Sequence, residues 1–153
     1  MSTSDIYNAI TVNDTLLLSG QPTEDQLRDA ESEQFTSVIN LATYHPQRSL
    51  PDEAGLVKSL GMTYHHIPVD WGNPTVADFA KFENLMVNMP TDEKVLVHCA
   101  ANFRVTAFYS LYAQKHLGWS AEQAENFRAK IWAGSDDPVW EQFIRDVGET
   151  LNG

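Results

Sequence analysis

The sequence predicts an α/β fold, a three-layer sandwich in which a central, mainly parallel sheet is flanked by helices. Short apolar segments alternate with amphipathic helical segments up to residue 98, and only helical segments follow. The segment 95–97, Val-Leu-Val, is apolar throughout, which is typical of a buried parallel strand. Because ligands of such sheets bind at the carboxyl ends of the strands, we expect functional residues in the turns that follow them.

Strands and helices alternate in the first half of the chain. Residues 10–18 are rich in leucine and β-branched residues, which indicates a small hairpin or an edge strand. Thr23 and Gln26 form a capping-box pattern at the start of a helix. The remaining segments are a strand over 35–41, a loop over 42–51, a helix over 52–60 that Gly61 ends, and a strand over 62–69.

Four helices are predicted in the rest of the chain, separated by the strand that begins at Val95. Each carries apolar residues at helical spacing, among them Val76 and Phe79 in the first and Phe108 and Leu117 in the second. These apolar stripes are expected to face the core. The helices are expected over 75–89 and 103–117, from Ser120 to Gly134, and from Pro138 onwards.

The composition is typical of one globular domain over residues 1–153, and its charge excludes some classes of binding partner. Ten Lys and Arg against 21 Asp and Glu give a formal charge of −11, which argues against a nucleic-acid-binding surface or an anionic-membrane ligand. No segment approaches a membrane span and the first residues lack a secretory pattern, so we expect a cytoplasmic protein. A single cysteine excludes an internal disulfide. The sequence makes no prediction of the oligomeric state.

The segment 95–106 contains the single cysteine of the chain, followed by an arginine. An apolar strand, a short loop and the start of an amphipathic helix succeed one another here, an arrangement in which backbone N–H groups converge on an anion. Those dipoles and the guanidinium of Arg104 favour the thiolate form of Cys99. A nucleophile beside an oxyanion-binding loop is the minimum that phosphoryl transfer through cysteine requires.

The segment resembles the signature of cysteine-dependent protein tyrosine and dual-specificity phosphatases, His-Cys-x-x-Gly-x-x-Arg-Ser/Thr. His98 and Cys99 match it, Asn102 stands at the glycine position, and Thr106 stands at the Ser/Thr position. Asparagine is among the few residues that tolerate a left-handed backbone, so its exchange for glycine is mild. Arg104 stands one position earlier than in the family, and one step around a helix start turns a side chain by about 100°. It reaches the same phosphate only if the loop itself is rearranged.

Other segments resemble a bacterial, β-lactamase-hydrolase-like branch of the same superfamily, a domain of unknown function that is fused in some members to metallo-β-lactamase-like proteins. These segments are Ser-Gly-Gln-Pro at 19–22, Val-Ile-Asn-Leu at 38–41 and Gly-Met-x-Tyr-x-x-Ile-Pro-Val at 61–69. The resemblance extends from Leu16 to Trp119 and implies the phosphatase-like α/β fold.

The resemblance also implies a role for each matching residue. Cys99 is expected to be the nucleophile and His98 to support the loop, while Asp70 is the expected general acid, with Asp78 in reserve. The expected phosphate-binding residues are Ala100, Ala101, Asn102, Phe103, Arg104 and Thr106. The expected substrate is a phosphorylated protein or a small phosphomonoester. No metal or other cofactor is expected, because arginine and amides neutralise the phosphoryl oxygens.

Two other functions fit the same residues. The spacing Cys-x-x-Asn-x-Arg has the length of a rhodanese loop and would suit a sulfurtransferase, although the loop at Asp70 and the all-helical tail argue against it. The early position of Arg104 would suit a phosphate-binding or interaction module without turnover. Taken singly, Cys99 could be a small core residue, Thr106 could bond a helical carbonyl, and Trp71 could lie at the rim of a site.

Overall fold

A five-stranded sheet forms the centre of the protein, as a computed structural model describes it for residues 2–151. Its strands are β1 (Ile10–Asn13), β2 (Leu16–Ser19), β3 (Ser37–Asn40), β4 (Thr63–His66) and β5 (Val95–His98). They lie in the order β1-β2-β5-β3-β4, with β1 antiparallel to β2 and every other pair parallel. The predicted fold class is therefore confirmed. Of the two structures predicted for residues 10–18, a hairpin or an edge strand, β1 and β2 form the hairpin, and β1 is also the edge strand of the sheet.

Helices cover both faces of this sheet. Those in residues 2–151 are α1 (Glu24–Ser32), α2 (Glu53–Ser59), α3 (Val76–Asn88), α4 (Phe103–His116), α5 (Ala121–Trp132) and α6 (Pro138–Leu151), and a short 3₁₀ helix (Thr3–Asp5) precedes β1. None of the helices in this described part of the chain combines the length and the apolar character that crossing a bilayer demands.

Alternate residues of the strands enter two separate cores, which makes the architecture three-layered. On one face Val38 and Leu96 pack with Leu27 against α1 and α2. On the other face Ile39 and Val97 pack against α3, α4 and α6. Every residue of β5 is buried, because this strand has a parallel neighbour on each side and helices above and below. The chain therefore leaves β5 at the centre of the sheet's carboxyl edge.

The helix ends follow the capping residues that the sequence predicted. The Gln26 N–H donates to Thr23 Oγ1 and the Thr23 N–H donates to Gln26 Oε1, which completes the capping box of α1; the same arrangement begins α5. Thr75 caps α3 by accepting a hydrogen bond from the Asp78 N–H at 3.0 Å. Asp78, the reserve acid, therefore lies in the first turn of α3.

Two of the predicted core residues are exposed. Val76 is 65 % exposed because it is the first residue of α3, where the helix start stands clear of the sheet. Leu117 is 50 % exposed because it is the C-cap of α4, with φ −114°, and no longer continues the buried stripe of that helix. The prediction of these two as core residues is wrong, whereas Phe79 and Phe108 are buried as predicted.

Candidate active site

Cys99 follows β5 directly and lines a cavity of ≈ 370 Å³ at the carboxyl edge of the sheet. The cysteine is only 1 % exposed. The other lining residues come from the turn after β2, the loops after β3, β4 and β5, and the start of α4. They are Gln21, Ala42, Thr43, His45, Arg48, Ser49, Trp71, Ala100, Ala101, Phe103 and Arg104.

The loop after Cys99 turns through a left-handed residue into the start of α4. Asn102 has φ 70° and ψ 7°, a left-handed conformation that asparagine tolerates better than most residues, and α4 begins at Phe103. In residues 2–151, the backbone N–H groups of Ala100, Ala101, Phe103 and Arg104 donate to no protein acceptor. Free N–H groups at a helix N-terminus form an anion-binding site, so the loop is able to bind the oxygens of a tetrahedral anion.

The turn after β2 supports this loop from one side through the Ser-Gly-Gln-Pro segment. The Cys99 N–H donates to Ser19 O at 3.3 Å, and the Gln21 N–H donates to Ala100 O at 2.9 Å. Gly20 lies so close that an added Cβ would stand 2.7 Å from Ala100 O. Glycine is therefore required at residue 20 by the approach of two backbones.

The N-terminal segment supports the loop from a second side. Asn102 Nδ2 donates to Asn8 O at 2.8 Å, and Asn8 Nδ2 donates to Ala101 O at 3.0 Å. Asn8 itself has a left-handed backbone, with φ 52°. Asparagine at residue 102 therefore supplies a bond that glycine, the residue of the family pattern, would lack.

A buried pair of side chains lies beneath the cysteine. His98 is fully buried; its Nε2 lies 2.6 Å from Glu53 Oε2, and its Nδ1 lies 3.2 Å from Cys99 O. Both oxygens are acceptors, so the ring satisfies both contacts fully when each nitrogen carries a proton. Burial by itself raises the pKa of Glu53, but the charge of His98 and hydrogen bonds from His98, Gln21 and Tyr64 outweigh it and hold this pKa below its ordinary value.

Two further groups complete the environment of Glu53. Gln21 Nε2 donates to Glu53 Oε1 at 2.8 Å, so one residue bonds the cysteine loop through its backbone and the buried carboxylate through its side chain. Burial raises the pKa of Tyr64 to about 12, and the phenol accepts from Asn40 Nδ2 at 3.0 Å. Glu53 therefore remains an ionised acceptor surrounded by donors.

The guanidinium of Arg104 lies inside the site. Arg104 is 7 % exposed and lines the cavity, its Nη1 donates to Val69 O at 2.9 Å, and its Cζ lies 5.9 Å from the ring centre of Trp71. The early position in the sequence thus still brings the charge to the cavity that Cys99 lines. The same side chain fixes the backbone just before Asp70.

Asp70 and Trp71 occupy different positions although they are neighbours in sequence. Asp70 is exposed, does not line the cavity, and accepts a hydrogen bond from the Gly72 N–H at its Oδ1, at 2.9 Å. Trp71 lines the cavity, in agreement with the position at the rim of a site that its place in the sequence allowed. The loop therefore contributes an aromatic wall to the cavity and an acid beside it.

The C-terminal helices fix both the Trp71 loop and the cysteine loop. Trp140 Nε1 donates to Trp71 O at 2.8 Å, and Trp132 Nε1 donates to Phe103 O at 3.0 Å. The Trp132 ring stacks on Trp71 at 5.7 Å and on Phe103 at 4.8 Å between ring centres. The all-helical tail is thus part of the structural support of the site.

Thr106 makes the contact of a helical threonine. Its Oγ1 donates to Asn102 O at 2.8 Å and approaches Phe103 O at 3.2 Å. A hydroxyl has a single proton, so a role towards sulfur or phosphate would require this group to rotate. Of the two roles that the sequence left open for Thr106, the structure shows the bond to a helical carbonyl.

Several residues of the site were not singled out from the sequence. Glu53 was missed because an acid in the first turn of a helix is ordinarily explained by the helix dipole. His45 and Arg48 were missed because they lie in a loop without a motif. Gln21 carried a signal, since it belongs to the Ser-Gly-Gln-Pro segment, but its two bonds depend on residues far along the chain.

Known proteins share this fold and parts of this sequence. A crystal structure of "Putative phosphatase (DUF442)" from Shewanella putrefaciens CN-32 is 32 % identical, with a TM-score of 0.83 over 97 % of this chain and 95 % of that one. The structure of PTPMT1 is 21 % identical, with a TM-score of 0.75 over 94 % and 96 % of the two chains, which shows the fold alone. No family model matches the sequence.

A curated relative is longer than this chain. The "Beta-lactamase hydrolase-like protein" of Xylella fastidiosa strain Temecula1 is 29 % identical over 105 residues, which are 67 % of this chain and 24 % of the relative. The chain thus spans about a quarter of the length of the curated relatives it matches.

The parallel sheet, with its cysteine between the central strand and a helix, defines a protein of the cysteine-dependent phosphatase fold. Its fold neighbours are phosphatases, and the resemblance seen in the sequence is confirmed. Within that superfamily, the chain belongs to the DUF442 family.

Proposed function

We propose that the protein is a cysteine-dependent phosphatase that hydrolyses a phosphomonoester through a cysteinyl-phosphate intermediate. One observation carries this proposal. The thiol of Cys99, the guanidinium of Arg104 and the free N–H groups of the loop between them adjoin one cavity, at the start of a helix. Donors that already face the position of developing negative charge stabilise a transition state without reorganisation.

In the first step the Cys99 thiolate attacks phosphorus in line with the ester oxygen. The S–P bond forms as the P–O bond to the leaving group breaks. Arg104 and the N–H groups of the loop bind the three equatorial oxygens, over which the charge of the transferred group is spread in the transition state. The bond from Cys99 N–H to Ser19 O and the His98–Glu53 pair fix the backbone from which the sulfur attacks.

Asp70 is the proposed general acid in this step. It gives its proton to the leaving oxygen, which otherwise departs as an unstable alkoxide or phenoxide. Its Oδ1 accepts from the Gly72 N–H, which leaves Oδ2 to carry the proton. The support for this role is positional, because Asp70 lies between Val69, which Arg104 bonds, and Trp71, which lines the cavity.

In the second step water attacks the phosphorus of the cysteinyl phosphate. Asp70, now a carboxylate, takes a proton from that water, the S–P bond breaks, and inorganic phosphate and the Cys99 thiolate are formed. The enzyme thereby returns to its starting state with no change of oxidation state.

Release of phosphate from phenyl phosphate and p-nitrophenyl phosphate tests the proposal. We expect turnover by the wild type, a mass increase of one phosphoryl group on Cys99 after rapid acid quench, and a loss of at least about a thousandfold in Cys99→Ser. Calorimetric titration of Cys99→Ser with inorganic phosphate should still show binding, because the amides and Arg104 remain.

Two results would replace the proposal by its alternatives. Formation of thiocyanate from thiosulfate and cyanide, without release of phosphate from either ester, would identify a sulfurtransferase. Phosphate binding without turnover of any phosphomonoester would identify an interaction module. Ser110→Ala, a change of one buried hydroxyl within α4, serves as the control for damage to the fold.

A further inference from the structure

Part of the cavity wall belongs to the loop between β3 and α2, apart in sequence from the cysteine loop. Thr43, His45, Arg48 and Ser49 all line the cavity from this loop. At ≈ 370 Å³ the cavity falls within the range of about 300–1,000 Å³ that is usual for sites of small organic ligands. A phosphoryl group bound by the cysteine loop therefore leaves space in which the rest of a substrate meets this second wall.

The residues of this wall are held in one turn by their own hydrogen bonds. The N–H groups of Arg48 and Ser49 donate to His45 O at 3.1 and 2.8 Å, and the His45 N–H donates to Ser49 Oγ at 2.8 Å. The Gln47 N–H donates to His45 Nδ1 at 3.1 Å, so the ring of a neutral His45 carries its proton on Nε2. These bonds thus fix the turn that carries Arg48 and His45, both of which line the cavity.

The charge of the cavity differs from the charge of the chain. The chain has 21 acidic residues against ten Lys and Arg, yet the described residues that line the cavity include Arg48 and Arg104 and no carboxylate. No carboxylate in residues 2–151 lies within ion-pair distance of Arg48. A guanidinium without a protein partner, in a cavity without acids, is suited to bind a planar or tetrahedral anion from the ligand.

We propose that Arg48, assisted by His45, binds a second anionic group of the substrate. The substrate class is then a small phosphomonoester that carries a further phosphate or carboxylate. Arg104 and the cysteine loop bind the phosphoryl group that is hydrolysed, and Arg48 binds the second anion at the wall that the loop between β3 and α2 forms. This inference rests on the proposed phosphatase function and specifies its substrate.

The test compares matched substrates with and without the second anion. One pair is phenyl phosphate and 4-carboxyphenyl phosphate, and the other is glycerol 1-phosphate and glycerol 1,3-bisphosphate. We expect the wild type to prefer the second member of at least one pair by about tenfold in kcat/KM, because a hydrogen-bonded charge pair is worth about that factor. The pair that shows the preference identifies the second group as carboxylate or phosphate.

Variants assign the preference to Arg48. In Arg48→Gln the preference should fall to less than about twofold, and Arg48→Lys should retain part of it, because a charge without the planar fork remains. Arg145→Gln removes the same charge from an exposed site on α6 and should leave the preference unchanged. Comparing ratios between variants cancels the difference in leaving group within each pair.

The outcomes separate this inference from the proposed function. Hydrolysis of all four esters with equal preference in wild type and Arg48→Gln overturns the second-anion site and leaves the phosphatase intact. If no ester is hydrolysed, the phosphatase proposal fails, and calorimetric binding of the same four compounds to Cys99→Ser still decides the site. Binding that does not depend on the second anion or on Arg48 would refute it.

Discussion

The two loops that carry the proposed chemistry differ in how firmly the structure defines them. The backbone around Cys99 is held by residues from other parts of the chain: the Cys99 N–H donates to Ser19 O, and the carbonyl groups of Ala100 and Ala101 accept from Gln21 and Asn8. The loop after β4 is fixed at its backbone, where Arg104 binds Val69 O and Trp140 binds Trp71 O, and by the stacked ring of Trp71. The carboxylate of Asp70 remains exposed, with a bond to its own turn.

The difference follows from what each loop has to do. A loop that stabilises charge with backbone dipoles works only if those dipoles are already aligned, so its supports belong to the fold. A general acid has to meet first the leaving oxygen and then the attacking water, which enters from solvent, so exposure suits it. Substitutions around Cys99 should therefore change stability, whereas substitution of Asp70 should change the rate alone.

The largest effect is expected at Glu53. Glu53→Ala leaves His98 buried without its partner, and the free energy of unfolding should fall by about 3–5 kcal/mol. Glu24→Ala, at the same first position of α1 but exposed, should cost less than about 0.5 kcal/mol. Urea denaturation at pH 7 measures both. Equal losses in the two variants would show that the pair does not support the loop.

The same carboxylate predicts a dependence of stability on pH. The pKa of Glu53 is lowered in the folded protein from the ordinary 4.5. The ionised carboxylate therefore contributes its full share to the free energy of unfolding above pH 4.5, and this share is lost as the pH falls through the lower pKa of the folded state. Glu53→Gln should lose this part of the acid dependence. Urea denaturation from pH 7 down to pH 3 measures the free energy of unfolding of wild type and Glu53→Gln. The difference between the two proteins should narrow below pH 4.5.

The next largest effect is expected on the catalytic rate when Asp70 is substituted. Asp70→Asn keeps the acceptor for the Gly72 N–H but cannot give up a proton, so kcat for phenyl phosphate should fall by about a hundredfold. The loss should be much smaller for p-nitrophenyl phosphate, whose leaving group needs little protonation, and stability should be unchanged. A rate loss in Asp78→Asn instead of Asp70→Asn would move the role of general acid to the reserve candidate.

A smaller effect is expected from a Gly→Ala substitution, made once in the turn after β2 that supports the cysteine loop and once in the Asp70 loop. Gly20→Ala places a Cβ 2.7 Å from Ala100 O, and overpacking of this kind costs about 1–3 kcal/mol. Gly72→Ala, in the Asp70 loop, brings its Cβ no closer than 3.6 Å to another atom and should be neutral in thermal unfolding. If both variants were equally stable, the contrast between a supported and an open loop would be refuted.

The smallest effect is expected at Asn102. Asn102→Gly keeps the left-handed backbone and loses the bond to Asn8 O, at a cost of about 1 kcal/mol, and Asn102→Ala adds about 1 kcal/mol of backbone strain. Gln34 is the control, with φ 72° but an exposed side chain. There the Gly variant should be more stable than wild type. Chemical denaturation should therefore give opposite signs for glycine at the two positions.

Much of the fold and part of the site followed from local sequence patterns. The capping pairs of α1 and α5 and the apolar run of β5 predicted their elements, because caps and burial on both faces are encoded within a few residues. The left-handed backbone of Asn102 is compatible with the sequence, since asparagine tolerates that conformation. Strand pairing proved shorter than the apolar segments, which continue into the loops at the carboxyl edge.

The sequence by itself thus determined that a cysteine and the N–H groups of a helix start follow the central strand, with an arginine nearby in the chain. Only the tertiary structure decided which residues support them: Glu53 beneath His98, 45 positions away, and Val69 beside Arg104, 35 positions away. It also decided that Arg48 shares their cavity. The physical reason is that burial, ion pairing and close backbone approach depend on which distant segments pack together, and no local pattern records that choice.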